Sequence, residues 1–303
     1  MYSFQQSQLW EDISKEIFAN TANLNLENFR DADSIINSRL ATWGPYEKSS
    51  YRFYKKYILY NEISRSEDLL NILSRISNRK LGSPIQVNYK NIDVCFDYLF
   101  SAQECLFLSG VTDKIKSVTE IGAGFGRTCH VIIELHNHIQ EYNIIDLPYM
   151  LEVSKSYLKE VLSVENYNKI NFLENTMTFE IKKTEMVINI DSMQEMDSEI
   201  VYNYLRFIND RSKYFYTRNT VGKYHPNQIG MKEYDEDKMK IIMELGLCKN
   251  LIDIFSSDSL DQARLDYLKL YKPSKSWNLA KDQISFPWQY YHHALYKNNM
   301  VSR

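Results

Sequence analysis

The residues of this chain best placed to do chemistry on a ligand are Glu120-Ile121-Gly122-Ala123-Gly124-Phe125-Gly126 and an acid 20 positions further on, Asp146. Three of the nine glycines in the chain fall within five positions. Glycine is costly to order and is placed where the backbone must turn tightly or approach a ligand closely. Lys116 to Ile121 reads as a buried strand, and Val131, Ile132 and Leu135 follow at helical spacing. The glycines therefore sit at a strand-to-helix turn, where free N–H groups and a helix N-terminus can meet a polar ligand. Tyr142 to Asp146 is a short apolar run ending in a carboxylate, placed to accept two hydrogen bonds from a ribose diol. The same Asp146 is also a good N-cap for a helix starting near Pro148, and both readings stand. A dinucleotide fingerprint would need glycine where Arg127 stands, and no Gly-Lys-Ser/Thr follows to make a P-loop.

Three segments must position these residues. Residues 1–112 read as a helical cap or lid, with apolar stripes at Leu9, Trp10, Ile13 and Ile17 and at Leu69, Leu70, Leu73 and Ile76. Gly44-Pro45 and Leu81-Gly82-Ser83-Pro84 punctuate it, and a helix is expected from Asp93 to Leu108. Residues 113–272 alternate strand and helix patterns, which predicts an α/β fold with a doubly wound, mostly parallel seven-stranded sheet. The expected strands are Ser117–Gly122, Tyr142–Asp146, Lys169–Leu173, Glu185–Asp191, Lys213–Arg218, Lys249–Phe255 and Arg264–Tyr271. Helices are expected to begin near Arg127, Tyr149, Gln194 and Tyr234. Residues 273–303 read as an aromatic-rich tail packing on that domain, with Trp277 and Phe286 to His293. In such sheets ligands bind at the carboxyl ends of the strands, which gathers Gly122 to Gly126, Asp146, Asn175, Asp191 and Asn219 at one edge.

Composition narrows the classes. With 44% hydrophobic residues over 303 positions, the chain can bury one large α/β core plus an extension. A net charge of −3 gives no argument for nucleic-acid binding. Cys95, Cys105, Cys129 and Cys248 have no paired spacing, so neither zinc nor a disulfide framework is suggested. There is no basic-then-apolar leader and no apolar run of membrane-spanning length, so a cytoplasmic chain with reduced thiols and no membrane span is expected. The helical N-terminal part offers a surface for a homodimer.

The pattern E-x-G-x-G-x-G of Glu120–Gly126 resembles motif I of the class I S-adenosylmethionine-dependent methyltransferases. Ile144-Ile145-Asp146-Leu147-Pro148 and Ile190-Asp191-Ser192-Met193-Gln194-Glu195-Met196 extend the likeness to the sugar O-methyltransferase family of surface-polysaccharide and glycoside biosynthesis. It covers roughly residues 80 to 225, and Gly82-Ser83-Pro84 departs from the Gly-Asn-Pro expected there. The resemblance implies a terminal hairpin that adds an antiparallel strand. It also implies S-adenosylmethionine as cofactor, held by Glu120, Gly122, Ala123, Gly124, Gly126, Asp146, Leu147 and Asp191.

A sugar hydroxyl is a poor nucleophile at neutral pH, so its proton needs a base or a metal. Asp191 and Glu195 follow the fourth strand, and His225 lies in the loop after the fifth. These three are the candidate catalytic groups. Ser192 and Glu195 also fit a capping box. Arg127, Arg218, Asn219 and His292 are candidate contacts to a sugar-containing small molecule or glycan, the arginines suiting an acidic or phosphorylated carrier. His130, His136 and His138 are expected at the surface. Asp191, Glu195 and Asp197 are close enough in sequence to raise a divalent cation, which is not favoured because carboxylates after a strand are common. The alternatives are a non-sugar O- or N-acceptor, or a non-catalytic protein that keeps the fold as a binding module.

Overall fold

The structure is a computed structural model that describes residues 5–15, 25–30, 48–229 and 236–301. Helices α1 (Gln8–Ile13), α2 (Lys48–Ser64) and α3 (Glu67–Ser74) lead to a hairpin of β1 (Gln86–Tyr89) and β2 (Ile92–Cys95), then to α4 (Phe96–Leu108). Next come β3 (Ser117–Ile121), α5 (Arg127–Leu135), β4 (Glu141–Asp146), α6 (Pro148–Val161), α7 (Val164–Tyr167) and β5 (Ile170–Glu174). The chain continues through β6 (Thr184–Ile190), α8 (Ser198–Arg211), β7 (Ser212–Thr220), α9 (Glu236–Glu244) and α10 (Ser257–Leu270) to β8 (Trp277–Ile284) and β9 (Tyr291–Asn298).

Strands β3 to β9 form one seven-stranded sheet in the order β5-β4-β3-β6-β7-β9-β8. β9 runs antiparallel to both β7 and β8, and the other pairings are parallel. This is the doubly wound, mostly parallel sheet that the alternating pattern predicts. Strands buried on both faces read as continuous apolar runs, and β6 is buried at all but one position. One face packs on Leu73, Leu99, Val131 and Leu158 of α3, α4, α5 and α6. The other packs on Val201, Leu205, Leu260 and Tyr267 of α8 and α10. The strand order reverses between β3 and β6, so their carboxyl ends open a crevice there.

Two expected strands are not strands, and the hairpin lies elsewhere. Arg264–Tyr271 belongs to α10 and the residue that ends it. Its buried positions Leu260, Ala263, Tyr267 and Tyr271 repeat at helical spacing, and the Ser256 hydroxyl caps it by accepting from Ser259 N. Lys249–Phe255 is irregular with a single bridge, Lys223 to Leu251, and both Leu251 and Phe255 are exposed. The two closing strands come from the segment read as an aromatic tail. β9 lies between β7 and β8, which is why its aromatic residues are buried, so the boundary at 272 falls inside the sheet domain. Upstream, Asp93 is in β2 rather than α4, because Lys90 and Asn91 both take positive φ and make a two-residue hairpin turn. Ile17, the Gly44-Pro45 break and Tyr234 lie outside the described residues.

Candidate functional site

The glycine turn leaves β3 with Gly122, Gly124 and Gly126 at φ values of 74°, 58° and 93°. Any other L-residue would pay about 1–2 kcal/mol at each such position. Space is also short: a Cβ on Gly122 would come within 2.1 Å of Ser192 Oγ, and one on Gly126 within 2.7 Å of Leu158 Cδ1. Asp146 ends β4 and is turned towards this loop. Its Oδ2 accepts from Gly124 N at 2.9 Å and its Oδ1 from Leu147 N at 2.8 Å. The N-cap of α6 is Leu147, with Pro148 in the first turn, so Asp146 is not the cap. Burial pushes the Asp146 carboxyl up to about 6, against the pull of the Leu147, Gly124 and Ala123 N–H groups. Behind it Glu120 is buried on β3, accepts from the Tyr142 hydroxyl at 2.7 Å, and is pushed up to about 7 by burial.

The turn rests on a buried cluster from the N-terminal segment. Arg30 grips Asp97 through two bonds of 2.8 and 2.7 Å and donates to the carbonyls of Arg79 and Leu81 at 2.6 Å. Its guanidinium lies against the rings of Tyr98, Phe125 and Tyr157, and Phe125 is the aromatic residue of the glycine turn. His130, expected at the surface, is fully buried here and pairs with the Tyr98 hydroxyl. It sits on the inward face of α5, and burial with the nearby Arg30 and Arg79 charges pushes its imidazole down to about 3. His136 is partly buried and His138 is exposed.

Across the crevice, β6 is followed by Asp191, which takes φ +57°. Its Oδ1 accepts from the Tyr291 hydroxyl at 2.8 Å and from Gln194 Nε2 at 2.5 Å. Gln194 is fixed in turn by accepting from Thr220 N at 2.7 Å. Met193–Glu195 is a single 3-10 turn, and α8 starts only at Ser198. The expected capping box does not form. Ser192 Oγ donates instead to Ile121 O at 3.2 Å and accepts from Asn189 Nδ2 at 2.6 Å. Glu195 is held by α1: its Oε2 accepts from Trp10 Nε1 at 2.8 Å, and its carbonyl accepts from Ser7 Oγ at 2.9 Å.

Arg127 and Arg218 meet over a carboxylate that the sequence did not single out. Glu104 of α4 is fully buried, with Oε1 at 3.4 Å from Arg127 Nη2 and 3.9 Å from Arg218 Nη1. Arg218 also lies over the Phe100 and Tyr291 rings and donates to Ser285 Oγ at 2.9 Å. Burial outweighs both arginines and raises the Glu104 carboxyl above its ordinary range. Asn219 and His292 point the other way. Thr217 bonds both Asn219 and Tyr267 of α10, and His292 meets Tyr267 edge-on, bonding Asp282 on β8 at 2.9 Å. Asn219 serves the crevice only through Asn189, to which it donates at 2.8 Å. His225 is exposed in the loop after β7. Among the described residues no group of three or more His, Cys, Asp or Glu could hold a metal ion. No helix among them is long and apolar enough to cross a membrane.

Reasoning from the sequence singled out Asp146 with the glycine turn, which the structure joins, and Arg127 and Arg218, which it sets about one carboxylate. It missed Glu104, Gln194 as a clamp, Tyr291 and Trp10. Tyr291 stood in the aromatic run of the last segment, Gln194 in the Ile190–Met196 segment and Trp10 in the first apolar stripe, whereas Glu104 carried no signal.

No protein-family model and no curated protein sequence matches this chain. Solved structures match at low identity. The mitomycin 7-O-methyltransferase MmcR aligns at 10% identity and a TM-score of 0.44 over 66% of this chain and 56% of its own, so the match spans little more than half of that enzyme. The methyltransferase domain of bacterial CtHen1 gives 11% identity, a TM-score of 0.45, and coverage of 65% and 96%. Magnesium protoporphyrin IX methyltransferase from Synechocystis PCC 6803, solved with bound SAM, gives 12%, 0.40, and coverage of 66% and 79%.

Proposed function

We propose that this chain is a cytoplasmic S-adenosylmethionine-dependent methyltransferase acting on a hydroxyl of a sugar or sugar-containing intermediate. One observation carries the cofactor assignment. Three left-handed glycines follow β3 while the Asp146 carboxylate at the end of β4 is turned onto their backbone, beside the switch point of the sheet. The chemistry of the group fits: Asp146 suits a ribose diol, the glycine backbone a close-lying chain, and buried Glu120 the amino end. The sugar acceptor rests on the resemblance of the Ile144–Pro148 and Ile190–Met196 segments.

When bound, S-adenosylmethionine supplies a methyl group on a sulfonium, ready for in-line displacement. The protein must hold the acceptor hydroxyl in line and take its proton. Asp191 suits that task best, because Tyr291 and Gln194 fix its carboxylate at the carboxyl end of β6. Glu195 is already engaged by Trp10, and His225 is exposed.

Calorimetric titration with S-adenosylmethionine, S-adenosylhomocysteine and NAD tests the cofactor. Micromolar binding of the first two without NAD is expected, and binding of none of them would turn the reading to a non-catalytic module. A methyl-transfer screen of sugars against non-sugar phenols and amines tests the acceptor. Asp191→Asn should lower turnover by roughly a hundredfold or more, the usual share of a general base. Unchanged turnover would remove Asp191 from the chemistry.

A further inference from the structure

The Glu104, Arg127 and Arg218 cluster is made of fully ionisable groups, lies at the carboxyl edge of the sheet, and is badly satisfied. A carboxylate this buried normally makes charge-assisted bonds of about 2.7–2.9 Å. Among the described residues Glu104 makes none: its contacts are 3.4 Å to Arg127 Nη2, 3.9 Å to Arg218 Nη1 and 3.4 Å to Thr128 Oγ1. Arg127 Nε is buried without a hydrogen-bond partner among the described residues. Two guanidiniums therefore share one distant carboxylate, and a buried donor is left over. Elsewhere in the same chain Arg30, more deeply buried than Arg127 or Arg218, closes on Asp97 at 2.7 and 2.8 Å. Poor closure is a property of this place and not of buried arginines in general.

The groups facing this cluster come from every element around it. Arg127 and Thr128 lie on α5, Arg218 and Tyr216 on β7, Cys105 on α4, and Asp191 after β6, with Glu120 on β3. Asp191 has its own clamp in Tyr291 and Gln194, which leaves the two arginines with Glu104 as the one carboxylate within ion-pair distance among the described residues. Arg127 is the first residue of α5, whose N-cap is Gly126 and carries no side-chain acceptor. The N-terminal end of that helix adds to the positive field.

We propose that Arg127 and Arg218 form the seat for an anionic group, a carboxylate or a phosphate, carried by the acceptor, and that Glu104 is the weak internal counter-ion that this group displaces. The inference rests on the methyltransferase reading and narrows it to acidic or phosphorylated sugars. Planar guanidiniums suit either anion through paired N–H bonds, and a neutral sugar would leave the Arg127 Nε donor and the excess charge unanswered.

The test uses protein saturated with S-adenosylhomocysteine and three probes: D-glucuronate, D-glucose 1-phosphate and D-glucose. Calorimetry reads affinity, and the Nε–H resonances of arginine-labelled protein read the seat directly. The expected result is binding of at least one anionic probe, with a shift of the Arg127 Nε–H signal and no matching response to glucose. The preferred anion separates carboxylate from phosphate. Arg127→Gln should weaken that binding tenfold or more while leaving S-adenosylhomocysteine affinity within twofold. Glu104→Gln should strengthen it severalfold, since the competing carboxylate is gone, and this variant keeps the test decisive if Arg127→Gln fails to fold. The proposal falls if glucose binds as well as the anions, if neither anion binds, or if Glu104→Gln weakens binding. It also falls if Arg127→Gln costs tenfold in S-adenosylhomocysteine affinity, which would give the arginine to the cofactor. Failure of wild-type protein to bind S-adenosylhomocysteine sinks the methyltransferase reading instead, and the same probes without it then decide the seat alone.

Discussion

Arg30 with Asp97, and Arg127 and Arg218 with Glu104, are both buried arginine–carboxylate clusters, yet they are built in opposite ways. In the first, one arginine meets one carboxylate in a paired geometry, two carbonyls take the remaining donors, and three rings close over the guanidinium. In the second, two arginines share one carboxylate at 3.4 and 3.9 Å and a buried donor is unanswered. Burying charge is tolerable only when every polar group is answered. The first cluster meets that condition within the chain and braces the glycine turn through Phe125. The second does not meet it, which marks it as a place where a ligand completes the bonding.

The comparison breaks most visibly at Asp97. Asp97→Asn leaves the Arg30 charge buried with half its partner, and losing one side of such a pair costs about 3–5 kcal/mol. Chemical denaturation should show that loss. A change below 1 kcal/mol would mean that the tight cluster is ornamental, and the contrast with Glu104 would lose its meaning.

The next largest effect tests whether the rigid side extends into the turn. Gly122→Ala adds about 1–2 kcal/mol of left-handed strain. It also adds about 1–3 kcal/mol of overpacking against Ser192. Circular dichroism should report a folded but less stable protein, and calorimetry a loss of cofactor binding. Native affinity in that variant would show that the turn yields easily and does not shape the pocket.

How much of this was legible follows the same division. The proposed cofactor side is written in contiguous signals: three glycines after an apolar run, then an acid at the end of the next, each a local consequence of backbone geometry. The doubly wound parallel sheet followed from the alternation, and the first five strands were placed correctly. The last two were not: Arg264–Tyr271 alternates only as far as Tyr267 and its burial runs at helical spacing from Leu260, and Lys249–Phe255 leaves Leu251 and Phe255 exposed. The acceptor side has no such local mark. Glu104 sits within Phe96–Leu108 among mostly buried residues, and only the packing of α4 on α5 and β7 brings it to Arg127 and Arg218. Trp10 reaches Glu195 across 185 positions. Tertiary juxtaposition of this kind leaves no spacing to read.

Asp146 gives the third effect and isolates the cofactor side. Hydrogen bonds to a charged acceptor contribute about 1.5–3 kcal/mol, so Asp146→Asn should weaken S-adenosylhomocysteine binding roughly ten- to hundredfold. The wild-type carboxyl is raised to about 6 by burial, so it is the charged acceptor above that pH and a neutral acid below it. Affinity should therefore fall as pH drops through about 6, and the Asn variant should lose that part of the dependence. Since Glu120 titrates near 7, any slope that survives in Asp146→Asn is the share of Glu120. Identical pH profiles for the two proteins would remove Asp146 from the cofactor site.

The smallest effect is the sharpest test of the contrast, because it is an effect on stability that ordinary reasoning about buried ion pairs would put as high as that of Asp97. Glu104→Gln keeps the shape of the side chain and removes a charge with no contact shorter than 3.4 Å among the described residues, so stability near neutral pH should change by no more than about 1 kcal/mol. The sign depends on pH. Burial raises the folded-state pKa of Glu104 above that of the unfolded chain, so the folded protein holds this proton more tightly than the unfolded one. The stability this contributes is present below the unfolded carboxyl's range and is lost as pH rises through the raised value. Wild type should therefore lose ground to Glu104→Gln as pH increases across that window, and the two denaturation curves should draw level or cross there. A loss of several kcal/mol at every pH would show instead that Glu104 is as tightly used as Asp97, and the two clusters would then be structural alike.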